Sequence, residues 1–129
     1  MNVSRQDIDE YLCEVKKLIH SGQYKIETNI KRQKNMQLYT DYVINEQKSV
    51  LIILNLKVEN FSHILNNEHE GYEYERLYVF GVTVTLLQRF GIDEENVALY
   101  IKINKIDSNY VIIISFHKQE HLLTFPFKR

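Results

Sequence analysis

Residues 100–128 read YIKINKIDSNYVIIISFHKQEHLLTFPFK, and the alternation of their apolar positions decides the fold. A period of two marks a strand with one face buried. In LYIKINK, Tyr100, Lys102 and Asn104 share one face, while Leu99, Ile101 and Ile103 share the other. Asp107, Ser108 and Asn109 supply a turn. In the run that follows, strict alternation sets Val111, Ile113, Ser115 and His117 against Ile112, Ile114 and Phe116. With the apolar sets inward, Tyr100, Lys102, Ser115 and His117 converge on one outer surface. LLTFPF is expected as a final edge strand, because Pro126 has no N–H to give a central ladder.

Upstream of this hairpin, RLYVFGVTV also reads as strand, and LLQRFGIDEEN interrupts it with a glycine and a polar cluster. The N-terminal segment has a different period. Ser4 and Asp7 form a capping box, Ile8, Tyr11, Leu12, Val15, Leu18 and Ile19 repeat at helical spacing, and Gly22 stands where a left-handed cap ends the helix. Tyr24 to Thr28 suits a short strand. Between them and the hairpin, LYTDYVI and VLIILNL fit strands by propensity. They fit helices equally well, with Leu38, Tyr39, Tyr42 and Val43 on one face and Asn45 capping a helix that carries Val50, Leu51 and Leu54. Periodicity leaves both open. NFSHILNNEHEGYEYE reads as a polar, acidic loop. Helices first and an antiparallel sheet after predict an α+β domain of N-terminal helices packed on a C-terminal antiparallel sheet.

The 129 residues suit a single domain spanning 1–129, and 44% hydrophobic residues suffice for a core. A net charge of -1 argues against broad nucleic-acid binding, so any such role needs a local basic patch. One cysteine, Cys13, forms no internal disulfide and reads as a small core residue in a reducing cytoplasm. The polar, acidic N-terminus predicts no signal peptide, and no stretch is long enough for a membrane span.

Solvent faces of antiparallel sheets carry Lys, Ser, Tyr and His routinely, so convergence alone does not make a site. His117 and His121 invite a metal reading, but no companion Cys or Asp completes a ligand set. His20 is most simply a charge at a helix C-terminus. His63 and His69 fit solvated loop positions. Lys25, Lys31, Arg32 and Lys34 form the one dense basic cluster, either a solvated loop or a grip on a phosphate backbone.

RLYVFG, ALYIKI and IISFHKQEHLLTFPFK together resemble the C-terminal half of the MqsR family, endoribonuclease toxins of bacterial toxin–antitoxin pairs with a RelE-like fold. EVKKLIHSGQ and LKVENF extend the resemblance into the first helix and the middle of the chain. It implies that QLYTDYVI and EQKSVLIILNL are helices. By this resemblance Tyr100 matches an active-site tyrosine and His117 a C-terminal catalytic position. His63 falls where a lysine can stand, which is a departure from that form of the site, and Glu75 lies near a polar position.

The implied reaction is metal-independent cleavage of single-stranded mRNA by 2′-hydroxyl attack, with no cofactor. His117 is then expected as the acid, Glu75 or His63 as the base, Lys102 or Arg76 as charge stabiliser, and Tyr100 as the group orienting the phosphate. Arg76, Lys105, Lys118 and His121 are expected to bind substrate. The implied partner is an antitoxin, DNA-binding and encoded adjacently, with a homodimer or a toxin–antitoxin complex as the assembly and the cytoplasm as the location. The alternatives are a decayed, non-catalytic member of the same fold and a small RNA-binding module stacking bases on its tyrosines.

Overall fold

A computed structural model describes residues 3–28, 32–107 and 109–128. Helix α1 (Arg5–His20) is followed by β1 (Tyr24–Ile26), α2 (Gln33–Asp41) and α3 (Glu46–Leu54). A 3-10 turn (Val58–Asn60) then leads into β2 (Phe61–Asn66), β3 (Arg76–Leu87), β4 (Glu94–Ile106) and β5 (Tyr110–Lys118). Of the positions read from sequence, Lys31 and Ser108 lie outside the described residues.

The α+β class holds; of the two ambiguous segments VLIILNL is helical through Leu54, whereas LYTDYVI is helical only to Asp41, after which Tyr42 is extended and bridges to Gln88. Asn45 caps α3, its side chain accepting from the Lys48 N–H. Ser4 and Asp7 close the capping box on α1, and Gly22 follows with φ of 74°. The buried stripe of α1 is the expected one: Ile8, Tyr11, Leu12, Val15, Leu18 and Ile19. That of α3 is not. Ser49, Ile52 and Ile53 face inward and Leu51 is exposed. Cys13 is likewise exposed, one step off the α1 stripe, rather than in the core.

The five strands form one sheet in the order β1-β5-β4-β3-β2. It is mixed, not antiparallel, because β1 enters from the N-terminal half and pairs parallel with β5. Two further expectations fail. Phe61–Asn66, assigned to a loop, is a strand on β3, and LLTFPF is irregular rather than a strand. Its Leu123 and Phe125 side chains, together with Gln119 before it, lie over the sheet at Gly81.

One sheet face packs on α1. The aromatic contact of Tyr11 with Tyr78 and Phe80, and the buried Phe61, Leu99, Ile101, Ile103, Val111, Ile113 and Phe116, form the core on that side. The other face carries the site.

Candidate active site

Two irregularities in register decide what the outer face displays. In β5, Lys102 pairs with Ser115 but Ile103 pairs with Ile113, so Ile114 is an extra residue. In β2 the register skips from Phe61 to His63, which leaves Ser62 over. Such a bulge resets alternation by one residue. Strict alternation predicts Val111, Ile113, Ser115 and His117 on one face. The bulge instead lets Val111, Ile113 and Phe116 all reach the core, while Ser115 and His117 emerge beside Lys102 and Tyr100. Without it, Phe116 and His117 would exchange faces.

Asn35 of α2 holds the bulge. Strand β1 covers the edge of β5 only as far as Ile113, whose carbonyl accepts from the Glu27 N–H at 3.0 Å. Beyond it, the Asn35 amide donates to the Ile114 and Glu27 carbonyls at 3.0 and 2.8 Å, and its oxygen accepts from the Phe116 N–H at 2.9 Å. One side chain thus replaces a missing strand. A carboxamide has the two donors and the acceptor this requires, and Asn35 is buried.

The registers stack the outer face into rows. His63, Val79, Lys102 and Ser115 lie side by side across β2, β3, β4 and β5, and Gly81, Tyr100 and His117 form the next row. Arg32, Lys34 and Asn35 from the start of α2 and Glu120, His121, Leu122 and Leu123 from the C-terminal strap wall these rows into a pocket of about 730 Å³. Lys34 Nζ reaches Glu120 Oε1 at 2.5 Å and ties the two walls together.

Five expected site residues therefore meet: His117, Tyr100, His63, Lys102 and His121. Glu75 does not line this pocket. It sits in the adjoining groove, accepting from Asn67 and Asn104. Arg76 and Lys105 line a separate hollow against α1, where Lys105 pairs with Glu14 at 2.8 Å. Lys118 lies over the Tyr42 ring and 3.6 Å from Glu95. The reason is common to the three. Each stands an odd number of residues from the member of the outer-face rows on its own strand (Val79, Lys102 and His117), so the pleat turns it to the opposite face. The basic groups that do reach the pocket are Arg32 and Lys34, from the cluster already evident in the sequence. Ser115, converging as expected, is buried at its floor.

His117 stacks on Tyr100, with ring centroids 5.1 Å apart and planes 11° from parallel. Its Nδ1 lies 2.7 Å from the Lys118 carbonyl. A carbonyl only accepts, so Nδ1 carries the proton and Nε2 is the open nitrogen. Burial pushes this imidazole below its ordinary value, the Lys34 charge adds to the push, and the Lys118 carbonyl opposes it. Burial likewise lowers His63, whose Nδ1 is 2.9 Å from Ser62 Oγ. Lys102 is lowered by burial and by Arg32 and Lys34, against the pull of Glu68. Burial raises the Tyr100 phenol, which stays a proton donor.

Among the described residues, no group of three His, Cys, Asp or Glu side chains has a geometry that would hold a metal ion, and no helix is long and apolar enough to cross a membrane. Comparison with known protein families, characterised proteins and solved structures finds no match to this chain.

Proposed function

We propose that this pocket cleaves single-stranded RNA without a metal, and that the chain is a toxin of the MqsR type, the α+β architecture being compatible with a RelE-like fold. The observation that carries the reading is His117: an imidazole that burial holds below its ordinary value, its Nδ1 on the Lys118 carbonyl, stacked on a phenol and one row from the half-buried Lys102. Sequence alone favours His117 as the acid. A histidine held below its ordinary value is instead deprotonated near neutrality, which suits a base.

In the proposed step, His117 Nε2 takes the proton of the ribose 2′-hydroxyl as the 2′-oxygen attacks phosphorus. The bond from phosphorus to the 5′-oxygen breaks, and that oxygen takes a proton from the Lys102 ammonium, whose lowered affinity for it suits an acid. Arg32 and Lys34 balance charge on the phosphorane, and Tyr100 donates to a non-bridging oxygen. The products are a 2′,3′-cyclic phosphate and a free 5′-hydroxyl. Under the same reading an adjacently encoded antitoxin is the protein partner.

The test is purified protein on single-stranded RNA with and without EDTA, with the product ends identified. Equal cleavage in chelator, giving cyclic phosphate ends, is expected. Activity abolished by EDTA and restored by a divalent ion overturns the mechanism, and no cleavage at all moves the reading to a non-catalytic member of the fold.

A further inference from the structure

Among the described residues three lysines are half-buried: Lys16, Lys102 and Lys105. Two of them are partnered. Lys16 Nζ donates to the Leu56 carbonyl at 2.7 Å, and Lys105 Nζ pairs with Glu14 at 2.8 Å and donates to the Asp107 carbonyl at 2.9 Å. Lys102 Nζ has no hydrogen bond or ion pair among the described residues. The charges around it are Glu68 and, of its own sign, Arg32 and Lys34. Burial and those two cations loosen its hold on the proton, which raises the share of free amine. A lysine desolvated beside other cations is an activated nucleophile.

The pocket around Lys102 supplies what such an amine needs in order to react. Arg32 and Lys34 in one wall suit a phosphoryl group, the guanidinium as a bidentate donor. Leu122 and Leu123 in the other wall give a short acyl chain apolar contact. His117, one row from Lys102, keeps Nε2 open as a proton acceptor. An amine, cations for a phosphate and a base for the released proton together match an acyl phosphate, the mixed anhydride of a carboxylic acid and phosphoric acid.

We infer that Lys102 is a modification site, acylated directly by small acyl phosphates, and that the amide formed switches the pocket off; the switching rests on the RNA-cleaving reading of this pocket, and the acylation does not. Lys102 Nζ, as the free amine, attacks the carbonyl carbon. The bond from that carbon to the phosphate oxygen breaks, the electron pair goes with the oxygen, and the phosphate leaves onto Arg32 and Lys34. The proton shed by nitrogen passes to His117 Nε2 and then to the departing phosphate. The amide left at Lys102 is neutral, with no proton for a 5′-oxygen and no charge for a phosphorane.

The test uses the full chain with acetyl phosphate as the probe, and mass spectrometry of digests to follow each lysine. Lys102 is expected to be acetylated several-fold faster than the exposed Lys17, Lys48 and Lys57 of the same molecules. Inorganic phosphate should slow Lys102 alone, a measurement on the wild type that does not depend on any variant folding. Arg32→Gln should bring Lys102 down to the rate of the exposed lysines and leave theirs unchanged. Lys102 no faster than the exposed three, a rate indifferent to phosphate, or faster acetylation by acetyl-coenzyme A than by acetyl phosphate would each overturn the assignment. RNA cleavage is measured on the same samples and should fall in proportion to the acetylated fraction of Lys102. Selective acetylation that leaves cleavage at full rate would overturn the switch. Selective acetylation of a protein that cleaves no RNA would keep the modification site and remove the nuclease reading. An RNA-cleaving protein whose Lys102 resists acetyl phosphate would keep the nuclease and remove the site.

Discussion

Tyr100 and His117 face one another across β4 and β5 as direct register partners, ring on ring. The stack fixes the imidazole plane, and the Lys118 carbonyl fixes which nitrogen is open. His117→Ala should cost stability only the stack and the hydrogen bond to the Lys118 carbonyl, about 1–2 kcal/mol together. Loss of the base should lower RNA cleavage on the order of a hundredfold or more. The variant should melt near wild type and no longer slow bacterial growth on expression. Phe116→Ala, at a fully buried neighbour, should do the opposite and destabilise by about 3–5 kcal/mol. Melting curves beside single-turnover cleavage rates check both. A folded His117→Ala protein of full activity would place the chemistry elsewhere.

Asn35→Ala deletes the side chain that completes the β5 edge. The Phe116 N–H and the Ile114 carbonyl lose a partner inside the protein, for a cost of about 3 kcal/mol. Asn35→Asp keeps the acceptor for Phe116 but loses the donors, so it should fall between alanine and wild type at neutral pH. Chemical denaturation ranks the three. An alanine variant as stable as wild type would mean that the bulge holds itself.

How far the sequence disclosed this arrangement follows from what alternation can and cannot encode. The faces of β4 were legible, because Tyr100, Lys102 and Asn104 alternate without interruption. So was the α1 stripe, residue for residue. The faces of β5 were not, since four consecutive apolar residues, Val111 to Ile114, give no phase for Ile114 to break. The signal for the bulge sat far away, in an asparagine within a helix, where its side chain gains little locally. Arg32 and Lys34 were visible as a basic run, but only tertiary packing brings them over Lys102. Arg76, Lys105 and Lys118 read as a patch by composition alone, and the pleat removes them from it.

Gly81→Ala tests the strap. A Cβ there would stand 2.7 Å from Leu123 Cδ1, 2.9 Å from Gln119 Nε2 and 2.9 Å from Phe125 Cζ. All three are side-chain ends able to swing aside, so the loss of stability should be about 1 kcal/mol, at the low end for overpacking. The larger effect should be local. Leu123 and His121 help to wall the pocket, and a lifted strap should expose Lys118 to trypsin sooner and weaken RNA binding. Unchanged proteolysis in a stable variant would show that the strap yields without leaving the sheet.

The pH dependence follows from the burial of the two pocket histidines. His117 and His63 are both held below the ordinary 6.5, so the folded protein binds fewer protons than the unfolded chain in the window just below that value. Stability should therefore rise with pH through this window and be lost as pH falls across it. Cleavage should rise with pH over the same range, because a base acts only when deprotonated, and should decline again on the alkaline side below 10.5, where the lowered Lys102 loses its proton. The charges facing His117 are Lys34 and Lys102, which oppose protonation, and Glu120, which favours it. Lys34→Ala removes one opposing charge and, with it, the partner of Glu120. The acid limb of the rate profile should then move toward higher pH, while the alkaline limb moves upward too as Lys102 is relieved of the same neighbour. Rate profiles of wild type and Lys34→Ala on one RNA measure both limbs. An acid limb that stays in place when Lys34 is removed would show that the titrating base is not His117.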